Sequence, residues 1–337
     1  MYQRKAELLL EFQNVIDVPP VDMKTLYGQA TSNDSITVES WRPIWISQTQ
    51  ANHKKYGPFK DRGIGQFFNA YKHLPAIVAG SGPSLKVNAH ELKNRNGIPL
   101  ISCLHNFHYF EDLGLEPDFY VTLDSGPVTI EEVSEGGTKT PDEYWAITKD
   151  RVLLAFIGTH PDLLAKWQGP IYFFNCPVPD KAYVDAVQAL ETFSTMVSTG
   201  GNVLGACYYI AKAIFGAGTI AFVGADFSFQ QNKFHAWDSK YDKNIGRVMK
   251  ATDIFGNAVK TWQSYFNFKC WFDHRAMVVP QVIINCTEGG IFGSYAEGNI
   301  AAVRQMGLKE FLDMQNINHH VEAQCKQPDT ASDVILF

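Results

Sequence analysis

The pattern of apolar and polar positions divides the chain into three regimes. Residues 1 to about 73 open with a helical pattern, MYQRKAELLLEF, and continue through Pro-rich and aromatic polar stretches, DVPPVDM, SWRPIWISQTQ and KKYGPF, with no strand–helix rhythm. They read as an N-terminal cap, helical at its start and irregular beyond it. From Leu74 the pattern changes. Short apolar runs predict strands near 76–80, 98–103, 118–124, 151–156, 170–175 and 219–224, and helical periodicity predicts helices near 84–95, 161–167, 181–190 and 201–216. This alternation over 74–227 predicts an α/β fold with a doubly wound, mostly parallel, Rossmann-like sheet. Residues 228–320 read as a lid and C-terminal extension packed on the same domain. Their first part, 228–250, has neither helix nor strand period and is expected to be mobile. After it come a hairpin at IFGNAVKT, a helix near 262–275, a strand at VVPQVIIN and a last helix near 296–315. A loosely held polar tail, 321–337, completes the chain, and no internal repeat is visible.

Composition narrows the class. The 337 residues are 45% hydrophobic and 13% aromatic, enough for one large core. No apolar run reaches the roughly 20 residues of a membrane span, and the start lacks a cleavable signal pattern, so a cytoplasmic address is expected. The six cysteines have no CxxC spacing and read as reduced core residues. A net charge of −6 argues against a general nucleic-acid coat.

Candidate chemistry concentrates at predicted strand ends. In IVAGSGPSLK a buried strand delivers the chain to Gly80-Ser81-Gly82-Pro83-Ser84, where two glycines permit close backbone approach and Ser84 is placed to cap the next helix. The loop reads as an anion or nucleotide pocket, the alternative being a plain βα turn, since GSG matches neither the GxGxxG nor the P-loop fingerprint. Ser198-Thr199-Gly200-Gly201-Asn202 opens a second helix and forms a second candidate anion site, or only a close helix–sheet contact. Asp124 ends the strand YVTLD, and Asp226 ends IAFVGAD. Each suits Mg²⁺, a ribose hydroxyl or general-base work, and either could instead be a turn cap.

These stretches together, AGSGPSL, SCLHNFHYFEDLGLEPDFYVTLD, STGGNVLGACYYIAKAIFGAGTIAFVGADF, DIFGNAVKTWQSYFNFKCWFD and INCTEGGIFG, resemble in order, over about residues 74–295, the family once called domain of unknown function 115. That family contains archaeal 6-hydroxymethylpterin diphosphokinase-like proteins and bacterial flagellin motility accessory factors. Part of the pattern also resembles the family 42 sialyltransferases, whose donor is CMP-sialic acid. The resemblance implies a nucleotide loop at Gly80, Gly82, Pro83, Ser84 and Leu85, with Ser81 where sialyltransferases have asparagine. It further implies a second nucleotide contact at Asn106, a phosphate-facing segment at Ser198, Thr199 and Gly200, and a strand-end motif at Gly224 and Asp226-Phe227. Ser228 stands in place of a phosphate-binding tyrosine, and the catalytic histidine motif has no clear counterpart.

The function expected is a nucleotide-dependent transferase, a glycosyltransferase taking a CMP-activated, nonulosonic-acid-type sugar. The first alternative is an ATP- and Mg-dependent 6-hydroxymethylpterin diphosphokinase, with Asp124 and Asp226 holding the metal. The second is a non-catalytic nucleotide-binding module. His235, oriented by Asp238 or Asp242, is the candidate base, with His274 in reserve and Asp124 and Asp226 as further catalytic candidates. Tyr241 or Lys233 would hold the donor phosphate. Thr287, Glu288 and Gly290 would complete a donor or acceptor pocket, or simply form a glycine-rich turn. The acceptor, whether protein, glycan, pterin or modified nucleic acid, is left open, as is self-association.

Overall fold

The computed structural model describes residues 23–190, 195–239, 247–278 and 282–325. Eight strands form one parallel sheet: β1 (Pro75–Ala79), β2 (Leu100–Cys103), β3 (Phe119–Thr122), β4 (Leu153–Phe156), β5 (Ile171–Phe174), β6 (Thr219–Val223), β9 (Val282–Asn285) and β12 (Val303–Gln305). Their order across the sheet is β12-β9-β6-β1-β2-β3-β4-β5. Two antiparallel hairpins stand apart from it, β7 (Met249–Thr252) with β8 (Ala258–Thr261), and β10 (Ser294–Tyr295) with β11 (Gly298–Asn299).

Strands β1 to β6 are near-continuous apolar runs because both sheet faces are covered there. In β1, Ala76 and Val78 enter a core with Tyr120, Phe173 and Phe222, whereas Ile77 and Ala79 enter the opposite core with Leu85, Phe110 and Phe311. This is the period-two alternation of a strand buried on both sides. From β1 the chain winds outward through β2 to β5, then returns to place β6 on the other side of β1, with Ile77 opposite both Leu100 and Ala221. The winding therefore reverses between β1 and β6. Open α/β sheets bind ligands at such a switch, outside the carboxyl ends of the strands.

Several sequence expectations are corrected. The stretch expected to be irregular is a helix over Met23–Tyr56 that carries Pro43 inside it. Tertiary contacts outweigh the local cost of the proline. Arg42 pairs with Asp180 at 2.7 Å, and buried Asn52 donates to the carbonyls of Ile157 and Thr159 at 2.9 and 2.8 Å. The expected helix at 84–95 is α-helical only over Leu85–Asn88 and continues as a 3₁₀ turn to Asn94. The helix opening at Val203 is α to Tyr209 and π from Ile210 to Ile214. The expected helix at 296–315 begins only at Leu308, since β11 and β12 occupy its first part, and it runs to Cys325. The helix expected at the N-terminus, part of the expected lid (240–246) and the tail from 326 lie outside the described residues. No helix among the described residues is long and apolar enough to cross a membrane.

Candidate active site

A cavity of about 210 Å³ opens at the β1/β6 switch. Its walls come from the ends of four strands. Gly80, Ser81 and Gly82 follow β1, His105 follows β2, Thr122 and Asp124 end and follow β3, and Gly224 to Ser228 follow β6. Asn202, Val203 and Leu204 add the start of a helix, and Tyr265 and Phe268 add a face of the helix Gln263–Val278.

The loop after β1 is fastened by the chain itself. The N–H of Gly80 bonds the Val223 carbonyl at 2.9 Å, and that of Gly82 bonds the Gly224 carbonyl at 2.9 Å. Buried Asp226 accepts the Ser84 hydroxyl at 2.7 Å, the Ser84 N–H at 3.2 Å and the Gln230 amide at 3.3 Å. These N–H groups, expected to face a phosphate, are thus already committed, and the anion they meet at Ser84 is the protein's own carboxylate. Ser84 makes no side-chain cap. A Cβ on Gly82 would collide with the Asp226 carboxylate and approach the Gly224 carbonyl to 2.7 Å, so glycine is required for close packing of the two strand ends. Burial pushes the Asp226 carboxyl up to about 7, against the opposing hydrogen bonds from Ser84.

The second glycine loop caps its helix through Asn202, whose side chain accepts the Gly205 N–H at 2.8 Å. Gly200 and Gly201 have φ of +58° and +82°, and Thr199 accepts the Gly201 N–H at 3.1 Å. Asn202 lines the cavity, whereas Ser198, Thr199, Gly200 and Gly201 do not and form the turn that leads into the helix. Asn106 is fully buried and clamps the end of β1, donating to the Gly80 carbonyl at 2.8 Å.

Three residues expected in a binding pocket brace the strand ends instead. The Thr287 hydroxyl accepts the Ala225 N–H at 3.1 Å. A Cβ on Gly290 would strike the Asp226 backbone. Glu288 accepts the Leu308 N–H at 2.9 Å, at the start of the last helix, and the Asn88 amide at 3.1 Å. None of the three lines the cavity, and neither do Pro83 and Ser84.

The residue expected as catalytic base lies in a packed aromatic cluster. His235 is 6% exposed, stacks on Trp237 at 4.9 Å and 9°, and packs against His105 at 4.5 Å. Burial, aided by His108, pushes its imidazole down to about 3, so it is neutral and a weak base near pH 7. The described part of the expected lid is packed down rather than projecting, with Phe234, His235, Ala236 and Trp237 all buried and the Ala236 N–H bonded to the Ser81 carbonyl at 3.2 Å. Apolar side chains recruited by distant elements have no local period, which is why the stretch read as a loop. Lys233 pairs with Asp238, His274 lies in the helix Gln263–Val278 away from the cavity wall, and Tyr241 and Asp242 lie outside the described residues.

Of the carboxylates that line the cavity, Asp124 is exposed, Glu132 half-buried and Asp226 buried. The Asp124 side chain reaches solvent through the cleft yet lies deep among protein atoms, and this crowding raises its pKa. Glu132, Thr122, Thr129, His105 and Tyr265 also face the cavity, and sequence reading passed over all five. His105 and Thr122 stand at or just beyond strand ends, a signal present in the sequence. Tyr265 had none, because only the sheet topology brings its helix back to the switch. Burial and the nearby Asp226 push the Tyr265 phenol upward, which keeps its proton in place as a donor. Among the described residues, no Lys or Arg lines the cavity, and no three His, Cys, Asp or Glu side chains are disposed to hold a metal ion.

The fold and cleft define a doubly wound α/β protein with an open cavity at the topological switch. The chain belongs to the family described as 6-hydroxymethylpterin diphosphokinase MptE-like, whose profile matches residues 50–232. Among solved structures, a MAf glycosyltransferase from Magnetospirillum magneticum AMB-1 shares the fold with a TM-score of 0.50 at 15% identity, over 79% of this chain and 41% of that one. This chain thus spans about two fifths of that chain's length. No curated protein matches the sequence.

Proposed function

We propose that the chain is a transferase that binds a nucleotide-activated donor at the β1/β6 switch, with a CMP-linked sugar of nonulosonic acid type as the donor. The observation that carries this reading is the cleft itself, whose wall holds an exposed carboxylate, Asp124, a phenol donor, Tyr265, and the start of a helix at Asn202. In the reaction, an acceptor hydroxyl attacks the anomeric carbon as the bond from that carbon to the phosphate oxygen breaks. The nucleoside monophosphate leaves with the electron pair, and the acceptor proton passes to Asp124. A raised carboxyl pKa suits that proton transfer. Tyr265 and the positive end of the helix dipole would stabilise the departing phosphate in a site without lysine or arginine among its described walls. In this scheme residues 74–227 supply most of the nucleotide site, and Ser228, Phe234, Tyr265 and Phe268 complete the wall of the cleft.

The family description favours a second reading, diphosphoryl transfer from ATP to a pterin alcohol. Mg²⁺ in such sites is held by one or two carboxylates together with substrate phosphates. Asp226 already accepts from Ser84 and Gln230, so Asp124 and Glu132 would be the metal's carboxylates. A nucleotide panel in a thermal-shift assay separates the readings. Stabilisation by CMP and CMP-linked sugars without metal supports glycosyl transfer. Stabilisation by ATP only with Mg²⁺ overturns it in favour of diphosphoryl transfer, and equal response to every nucleotide points to a binding module without chemistry.

A further inference from the structure

The wall of the cleft nearest His105 differs from the rest. After β6 the chain passes Ser228, crosses the β1 loop where Ala236 bonds Ser81, and lands on the end of β2, where the rings of His235 and Trp237 lie 4.5 and 5.1 Å from His105. Along this crossing, buried polar atoms have no hydrogen-bond partner among the described residues: Nε2 of His105, Oγ of Ser228, Nδ1 of His235 and Nε1 of Trp237. Buried polar atoms in native proteins are nearly always paired, so a cluster of unpaired ones is a place where something polar is expected to bind. Ser228, only 2% exposed, and His105 both line the cavity, with the Phe234 ring beside them. His235 and Trp237 lie behind.

The chemistry of this wall suits a flat, uncharged ring better than a phosphate. Burial and the neighbouring histidines hold His105 neutral, so its Nε2 is a single neutral donor or acceptor. Ser228 offers a hydroxyl that can donate or accept. Phe234 and Phe268 supply apolar faces for stacking, and the described wall contributes no cation. Apolar surface with a few converging neutral hydrogen-bonding groups is the usual form of a site for a planar heterocycle.

We propose that His105 and Ser228 read the edge of the donor nucleotide's base, with Phe234 packed against the ring, and so set which nucleotide the protein accepts. This rests on the reading of the cleft as a nucleotide site. A site built to hydrogen-bond a base edge discriminates through the partner left unpaired when the edge is wrong.

The test is calorimetric titration of the wild type, His105→Phe and Ser228→Ala with CMP, UMP, AMP, GMP, the four free nucleosides and ribose 5-phosphate. The His105 Nε2 resonance is followed by NMR in parallel, and melting curves confirm that each variant folds. The wild type should prefer one base. Each variant should bind that nucleotide about 10-fold more weakly or worse, with the ranking of bases flattened and ribose 5-phosphate unaffected. The matching nucleoside should shift the His105 resonance. Nucleotides that bind both variants with the wild-type ranking overturn the base subsite and leave the donor reading intact. Nucleosides that bind at His105 while nucleotides do not would uphold the subsite and overturn the donor reading. Failure of both to bind overturns both. Ser228→Ala removes one hydroxyl from a packed wall, so it tests the proposal even if His105→Phe fails to fold.

Discussion

Asp226→Asn should change the pH dependence of stability in a way that isolates the buried carboxylate between the two strand ends. Asp226 is 1% exposed, and burial raises its carboxyl from an ordinary 3.8 to about 7. Between those values the folded state holds a proton that the unfolded chain releases, so the group's contribution to stability falls as pH rises, by about 1.4 kcal/mol per pH unit. The full loss between pH 4 and pH 8 is about 4 kcal/mol. Asparagine cannot ionise, yet it can accept the Ser84 N–H and donate to the Ser84 hydroxyl, so it mimics the protonated acid. Other buried groups titrate in the same range. Asp273, raised to about 6, acts in the same sense, while His108 and His235, lowered to about 4 and 3, act in the opposite one. Their effects cancel when the variant's unfolding free energy is compared with the wild type's at each pH. Urea unfolding from pH 4 to 8 should give a difference near zero at pH 4 that grows to several kcal/mol in favour of the variant by pH 8. A difference that stays flat within about 1 kcal/mol would mean that Asp226 is solvated or charge-compensated, and the packing of the two strand ends would have to be redrawn.

Gly82→Ala should cost about 3 kcal/mol in urea unfolding, because its Cβ displaces the Asp226 carboxylate from Ser84, and unchanged stability would contradict that close approach. Asn202→Ala should lower stability by about 1 kcal/mol through loss of the helix cap, read as a shift in the urea midpoint at constant slope. His235→Ala should destabilise by about 2–4 kcal/mol as a buried-ring deletion while leaving the pH–rate profile of transfer unchanged, whereas loss of a profile limb would return it to the role of base. Asp124→Asn should lower turnover by about 100-fold or more with nucleotide affinity nearly intact, and loss of affinity alone would make Asp124 a ligand contact.

Much of the sheet was legible in the sequence because a parallel strand buried on both faces is an apolar run of fixed length. AIVAG, IAFVG and the glycines after them marked the two ends that meet at the switch, and YVTLD marked Asp124. Illegible were the elements whose stability comes from distant partners. Pro43 hid a helix that Arg42 and Asn52 anchor to other parts of the chain. Phe234 to Trp237 looked like a loop because they pack on His105, His108 and Trp262, which lie far away in sequence. The motif residues Ser84, Thr287, Glu288 and Gly290 suggested ligand contacts, yet each is spent on bracing a strand end or a helix start. A polar motif records that a position matters without saying whether its partner is a ligand or the chain itself.

The most direct test of the account is a crystal structure of the protein with the nucleotide that stabilises it most in the thermal-shift panel. The account predicts the nucleotide in the β1/β6 cleft, with its phosphate toward Asn202 and Tyr265 and its reactive end near Asp124. A nucleotide bound elsewhere, with the cleft collapsed around Asp226, would contradict it.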